Sequence, residues 1–227
     1  METGNDLRAY LESLARKSWN IVTLIGGPKC AGKSFYTDLL ARRLRTEFGY
    51  SVLTTNFAGP IKAAAQNKAS IIKLLQTFRL DNKCRGITNN IDIGELANRI
   101  YQMPIRKRLQ YLGTEIGRDR CYPDVWRNLA RQRLEKFFEA SEQDYAAFID
   151  DWRFPNEGNL TLPNRIIIVK VVLSVTEETQ RQRGCDPNDK HRSELYARQL
   201  TNQAHFVIDA NKEESIQAWH KSLGGKI

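Results

Sequence analysis

The stretch Ile21-Val-Thr-Leu-Ile-Gly-Gly-Pro-Lys-Cys-Ala-Gly-Lys-Ser-Phe35 constrains this chain more than any other. Five mostly β-branched, apolar residues lead into a glycine-rich loop, and a run with helical spacing follows. The loop Gly27–Ser34 fits G-x-x-x-x-G-K-[ST] in the strand, loop, helix context that the pattern needs. Glycine is required because the backbone must curl through φ values that a Cβ forbids, so that successive N–H groups converge on one anion. Lys33 would then supply a mobile cation for the β- and γ-phosphates of a nucleotide, and the Ser34 hydroxyl a ligand for Mg2+. A helix from about Ser34 to Phe48 would set its positive end beneath the same phosphates. The nucleotide-binding set on this reading is Gly27, Pro28, Lys29, Cys30, Ala31, Gly32, Lys33, Ser34 and Phe35. A chance match in a chain this long is expected on the order of one time in a hundred.

A length of 227 residues with 41% hydrophobic content suffices for one α/β domain with an inserted subdomain and is short for two independent ones. No apolar run approaches the roughly 20 residues of a membrane span. The N-terminus lacks the apolar region of a signal peptide, so no membrane partner and a cytoplasmic location are expected. Cys30, Cys84, Cys121 and Cys185 show no metal-knuckle or redox spacing, so four reduced thiols are expected. The net charge of +9 speaks to partners. Between Arg99 and Lys136, ten Lys/Arg stand against four Asp/Glu, which suits a polyanion, a pocket for several phosphates, or an evenly solvated basic surface.

Along the chain, Leu7, Tyr10, Leu11, Leu14 and Ala15 recur at helical spacing, predicting an added N-terminal helix within residues 1–19 that packs on the domain or mediates self-association. Tyr50–Phe57 reads as a second strand, followed by a helix opening near Pro60. Residues 67–103 read as a helical insertion, with helices near Ser70–Leu80 and Ile93–Gln102. Pro104–Arg118 is expected to be one helix with a core stripe of Ile105, Leu109, Leu112 and Ile116 and a second stripe of Arg108, Tyr111, Glu115 and Arg118. A helix over Pro123–Ala140 comes next. Tyr145–Asp151 is an apolar strand ending in two acids, Asp150 and Asp151, placed to hold Mg2+ or its water shell. Arg165–Leu173 reads as a strand buried on both faces of a parallel sheet. Arg181 and Arg183 follow in a lid-like segment, 176–194; His205–Asp209 is a last strand and Lys212–Leu223 a closing helix.

These motifs resemble the bacteriophage deoxynucleoside monophosphate kinases, a P-loop kinase family. The likeness covers most of residues 21–223. It rests on Phe57-Ala-Gly-Pro-Ile-Lys62, Arg108-Leu-Gln-Tyr-Leu-Gly-Thr-Glu115 with Arg118, and Asp124-Val-Trp126. It continues through Asp151-Trp-Arg-Phe-Pro-Asn-Glu157 and His191-Arg-Ser-Glu194. Animal-type phosphomevalonate kinases are more distantly similar, at the loop, the Gly-Pro-Ile-Lys step and Thr179-Gln-Arg-Gln-Arg183.

The resemblance implies a single P-loop kinase domain over 1–227, with about five parallel strands flanked by helices. It implies transfer of the γ-phosphoryl group of ATP, with Mg2+, to the 5′-phosphate of a deoxynucleotide. Lys33 and the loop amides would hold the ATP phosphates, and Ser34 with Asp151 or Asp150 the metal. Arg153, Arg118 and Arg108 would hold the acceptor phosphate, where a bidentate guanidinium fits best. Lys62, Glu115, Asp124 and Trp126 are candidates for the rest of the acceptor, and Arg181 and Arg183 for a closing lid. The N-terminal twenty residues have no counterpart in that family's pattern. The basic surplus also exceeds what a mononucleotide needs and points to a second class, phage kinases that phosphorylate the hydroxymethyl group of modified pyrimidines in DNA. A duplex substrate rewards such charge through counterion release. A nucleotide-dependent binding module without turnover is the non-enzyme alternative. If the chain is phage-encoded, the compartment is the host cytoplasm.

Overall fold

In the computed structural model, residues 4–163 and 166–211 are described. The β-branched runs become five strands: β1 (Asn20–Gly26), β2 (Ser51–Thr55), β3 (Tyr145–Trp152), β4 (Ile166–Ser174) and β5 (Phe206–Asp209). All pairs are parallel, in the order β2-β3-β1-β4-β5. The central strand β1 is buried along its length, with Ile21, Val22, Thr23, Leu24 and Ile25 inaccessible to solvent, as expected of a strand covered on both faces. From β1 the chain leaves toward β2 on one side; from β4 it leaves toward β5 on the other. The connections therefore diverge between β1 and β4, and the crevice beyond the carboxyl ends of two such strands is where open α/β sheets bind ligands.

The chain divides into two compact units, residues 1–56 with 133–227, and residues 57–132. In the first, helices α1 (Gly4–Ala15) and α2 (Lys33–Phe48) cover one sheet face. Leu7, Leu11 and Leu14 of α1 join Tyr36, Leu40 and Leu44 of α2 over Ile21, Ile25, Phe148 and Val171. The N-terminal helix read from its spacing is therefore part of the core, each buried leucine contributing roughly 1.5–3 kcal/mol. An ion pair between Arg43 of α2 and Glu12 of α1 at 3.0 Å lies at its edge. Helix α2 stops at Gly49, whose φ of 69° and N–H bonded to the Leu44 carbonyl form a left-handed cap.

The second unit contains α3 (Gly59–Ala64), α4 (Lys68–Leu80), α5 (Ile93–Tyr101), α6 (Ile105–Gln110) and the start of α7 (Val125–Glu139). It includes the expected insertion 67–103 and extends beyond it at both ends. Asn67 and Asp92 cap α4 and α5 by accepting the amides of Ser70 and Glu95.

Two expectations are corrected here. Pro104–Arg118 is not one regular helix, because α6 widens into a π-helix over Tyr111–Cys121. The indole of Trp126 donates to the Gly113 carbonyl at 2.7 Å. A Cβ on Gly117 would stand 2.3 Å from the same ring, so only glycine admits the indole. A side chain inserted at the ladder is one cause of such a bulge. With the 3.6-residue period lost, the two stripes do not persist: Ile105 is exposed, whereas Arg118 is buried beside Leu112 and Ile116. The cysteines are not four free thiols either. Cys30 bonds to Cys185 and Cys84 to Cys121, pairs 155 and 37 residues apart that folding brings together and that spacing rules cannot register.

Among the described residues no helix is long and apolar enough to cross a membrane. The expected closing helix Lys212–Leu223 lies outside the described residues.

Candidate functional site

The glycine-rich loop leaves the carboxyl end of β1 and enters α2, and three of its residues lie in the left-handed region: Gly27 (φ 121°), Cys30 (φ 58°) and Gly32 (φ 82°). At Gly27 a Cβ would sit 2.3 Å from the Leu173 carbonyl oxygen of β4, so the close approach of loop to strand admits glycine alone. This alternation of handedness is what turns consecutive amides toward a common point.

Lys33 lies inside the curl. Its Nζ donates to the carbonyls of Gly27 at 2.9 Å and Pro28 at 2.6 Å. Burial lowers its pKa from 10.5 to about 8, helped by the nearby Arg153 charge and opposed by Glu194, Asp151 and Asp150. Those four charges thus all act on one ammonium. Ser34, the next residue, donates its hydroxyl to Asp150 Oδ2 at 2.9 Å. The sequence left Asp150 and Asp151 as alternatives beside Ser34, and Asp150 is the one that reaches it. Strand β3 runs on through Trp152, and its register with β1 shifts between Leu24 and Gly26, at the level of the two acids. Bulges of this kind re-aim side chains beside functional sites. Asp151 is the more buried of the two, 9% exposed. A hydroxyl and a carboxylate oxygen form a hard donor pair of the kind that suits Mg2+ completed by phosphate oxygens and water. Among the described residues no group of three His, Cys, Asp or Glu side chains forms a metal cage.

Arg153 follows on the same strand exit. Its backbone N–H donates to Glu157 Oε2 at 2.9 Å, as does that of Phe154 at 3.0 Å. Its guanidinium pairs with Glu194, whose other oxygen accepts the Lys29 amide at 3.1 Å.

The segment 176–194 is laced to the outer half of the loop. Gln180 donates to the Lys29 carbonyl at 3.0 Å, and Asp189 pairs with the Lys29 ammonium. Arg183 donates to the carbonyls of Cys30 at 2.8 Å and Ala210 at 2.9 Å, and the Cys30–Cys185 bond lies alongside. Arg181, by contrast, pairs with Glu177 at 2.9 Å on the exposed side of α8 (Glu177–Gln182). Phe35, expected in the nucleotide-binding set, is 43% exposed at the start of α2.

The remaining candidates belong to the helical unit. Arg108 donates to the carbonyls of Ala65 at 2.6 Å and Met103 at 3.0 Å and to that of Tyr101, and its guanidinium lies 4.5 Å over the Tyr101 ring. Arg118, 8% exposed, donates to the Pro123 carbonyl at 3.0 Å. Asp124 pairs with Arg127 at 2.8 Å, and Lys62 and Glu115 are exposed. Trp126 is inaccessible to solvent; its ring is spent on packing against the π-helix.

Four polar contacts were not assigned roles from the sequence. Glu157 and Glu194 stand inside the motifs Asp151–Glu157 and His191–Glu194, so their presence was visible and their function was not. Gln180 sits within Thr179–Arg183 with nothing to distinguish it from a surface glutamine. Asp189 carries no signal at all. No family model matches the chain, and none of the curated proteins matches it.

Proposed function

We propose that the chain is an ATP-dependent phosphotransferase with a P-loop kinase fold, acting on a deoxynucleoside monophosphate to give the diphosphate. The observation that carries this reading is the curled loop with Lys33 held inside it and Ser34 bonded to Asp150. In phosphoryl transfer the protein does little covalent chemistry and contributes positioning and charge. The loop amides and Lys33 would take the β- and γ-phosphates, the Lys33 ammonium leaving the carbonyls of Gly27 and Pro28 for stronger, charged acceptors. Ser34 and Asp150 would hold Mg2+, which neutralises charge on the phosphates when bound; Asp151 supports Lys33 electrostatically. Arg153 would receive the acceptor phosphate, for which a planar fork suits two oxygens at once. Segment 176–194, tied to the loop through Lys29 and Cys30, would cover the site and exclude water, the competing acceptor, Arg183 working through the loop carbonyls.

The basic surplus between Arg99 and Lys136 favours one other acceptor, hydroxymethylpyrimidine within DNA, reached by flipping the base out of the duplex. Incubation with [γ-32P]ATP, Mg2+ and each acceptor class, with products separated by size, tests both. A labelled small molecule supports the mononucleotide reading; labelled polymer that fades steeply as salt rises supports the DNA reading. Lys33→Ala is expected to abolish transfer while its circular dichroism stays that of the wild type. Near-normal turnover by that variant, or label in neither acceptor, would overturn the proposal.

A further inference from the structure

Glu194 has no part in the reading above, yet its side chain is only 3% exposed and joins two groups that handle phosphate. One oxygen accepts the Lys29 amide of the loop and the other pairs with the Arg153 guanidinium. It reaches them from the start of α9 (Arg192–Ala197), 165 residues from Lys29 and 41 from Arg153. Burying a carboxylate beside an anion-binding loop is unfavourable by several kcal/mol unless a cation compensates it, and Arg153 does so. A charge pair retained at that cost fixes geometry. Resting on the kinase reading, we propose that Glu194 is a positioning residue of the transfer site: it orients the Arg153 guanidinium and sets its distance from the loop, so that acceptor phosphate and γ-phosphate meet in line.

Glu157 shows the contrast. It is 1% exposed and accepts the amides of Arg153 and Phe154, so it holds the backbone and not the guanidinium. Arg153 keeps 27% of its side chain exposed, which leaves the rest of its fork open to an anion. The pair therefore holds one side of the guanidinium and presents the other, an arrangement that preorganises a cation before substrate arrives.

Steady-state kinetics of Glu194→Gln, Glu194→Asp, Arg153→Lys and the double variant Arg153→Lys/Glu194→Gln, with melting curves alongside, test this. Glu194→Gln keeps the shape and an acceptor for the Lys29 amide but loses the charge. It is expected to lower kcat by about tenfold to a hundredfold, the loss that misplacement of a reacting group brings, while KM for ATP stays within about threefold. Glu194→Asp is expected to recover part of kcat. The double variant should be no worse than the poorer single one, since the two residues act as a unit. A kcat within about twofold of wild type would overturn the inference, as would losses that multiply. So would a loss that merely tracks a lower melting temperature and a raised KM for ATP, as expected of Glu157→Gln. Inactive wild-type protein would sink the kinase reading and this inference with it; active wild type with unimpaired Glu194→Gln would sink this inference alone.

Discussion

Lys33 should make stability depend on pH in a way that its removal abolishes. Its pKa falls from 10.5 in an open chain to about 8 in the fold, chiefly through burial. Below pH 8 both states carry the proton, so the folded protein bears the whole penalty of burying a cation. Between pH 8 and 10.5 the folded state sheds the proton while the unfolded state keeps it, and the penalty fades. At about 1.4 kcal/mol per pKa unit, the penalty is about 3 kcal/mol at pH 7, of which about 2 to 3 kcal/mol is relieved by pH 10. Lys33→Met, which keeps length and removes the charge, isolates this from every other titrating group. Urea denaturation followed by circular dichroism, at pH 7, 8, 9 and 10, reads the difference in unfolding free energy between the two proteins. Wild type should gain on the variant as pH rises, most steeply from 8 to 10. Parallel stabilities across that range would refute the reasoning, because the ammonium would then be as well solvated in the fold as outside it.

Gly117→Ala should destabilise the helical unit by about 1–3 kcal/mol, since its Cβ would overlap the Trp126 ring at 2.3 Å and a packed core resists added volume; an unchanged melting temperature would contradict this packing. A thiol titration of the unreduced, denatured chain should find no free cysteine, and full reduction should release all four. Cys84→Ser/Cys121→Ser, which opens a 37-residue loop, should lower stability by about 4 kcal/mol on a loop-entropy estimate, read by chemical denaturation.

Much of the first unit is legible from local chemistry. Strand β1 and the loop announce themselves because a β-branched run and a glycine pattern are short-range signals, and α1 because Leu7, Leu11 and Leu14 repeat at helical spacing. The order of the strands was not legible, because it depends on pairings between segments more than a hundred residues apart, such as β1 with β3 and β4. The π-helix escaped for a different reason. Periodicity assumes one residue per 100°, and the bulge at Gly113 and Gly117 is set by a tryptophan that arrives from α7. The Lys33, Ser34 and Asp150 cluster was half visible: the first two are adjacent in the motif, whereas the choice of acid rested on a register shift no single strand reveals. Glu194, Asp189 and Gln180 meet Lys29 only through the tertiary fold. No window on the sequence contains both ends of those contacts.

The bond between Cys30 and Cys185 makes a covalent shortcut from the loop to the turn that follows α8. While it stands, residue 185 cannot swing outward without dragging residue 30, so any breathing of that segment must rock the curled loop as one piece instead of lifting away from it like a hinged door.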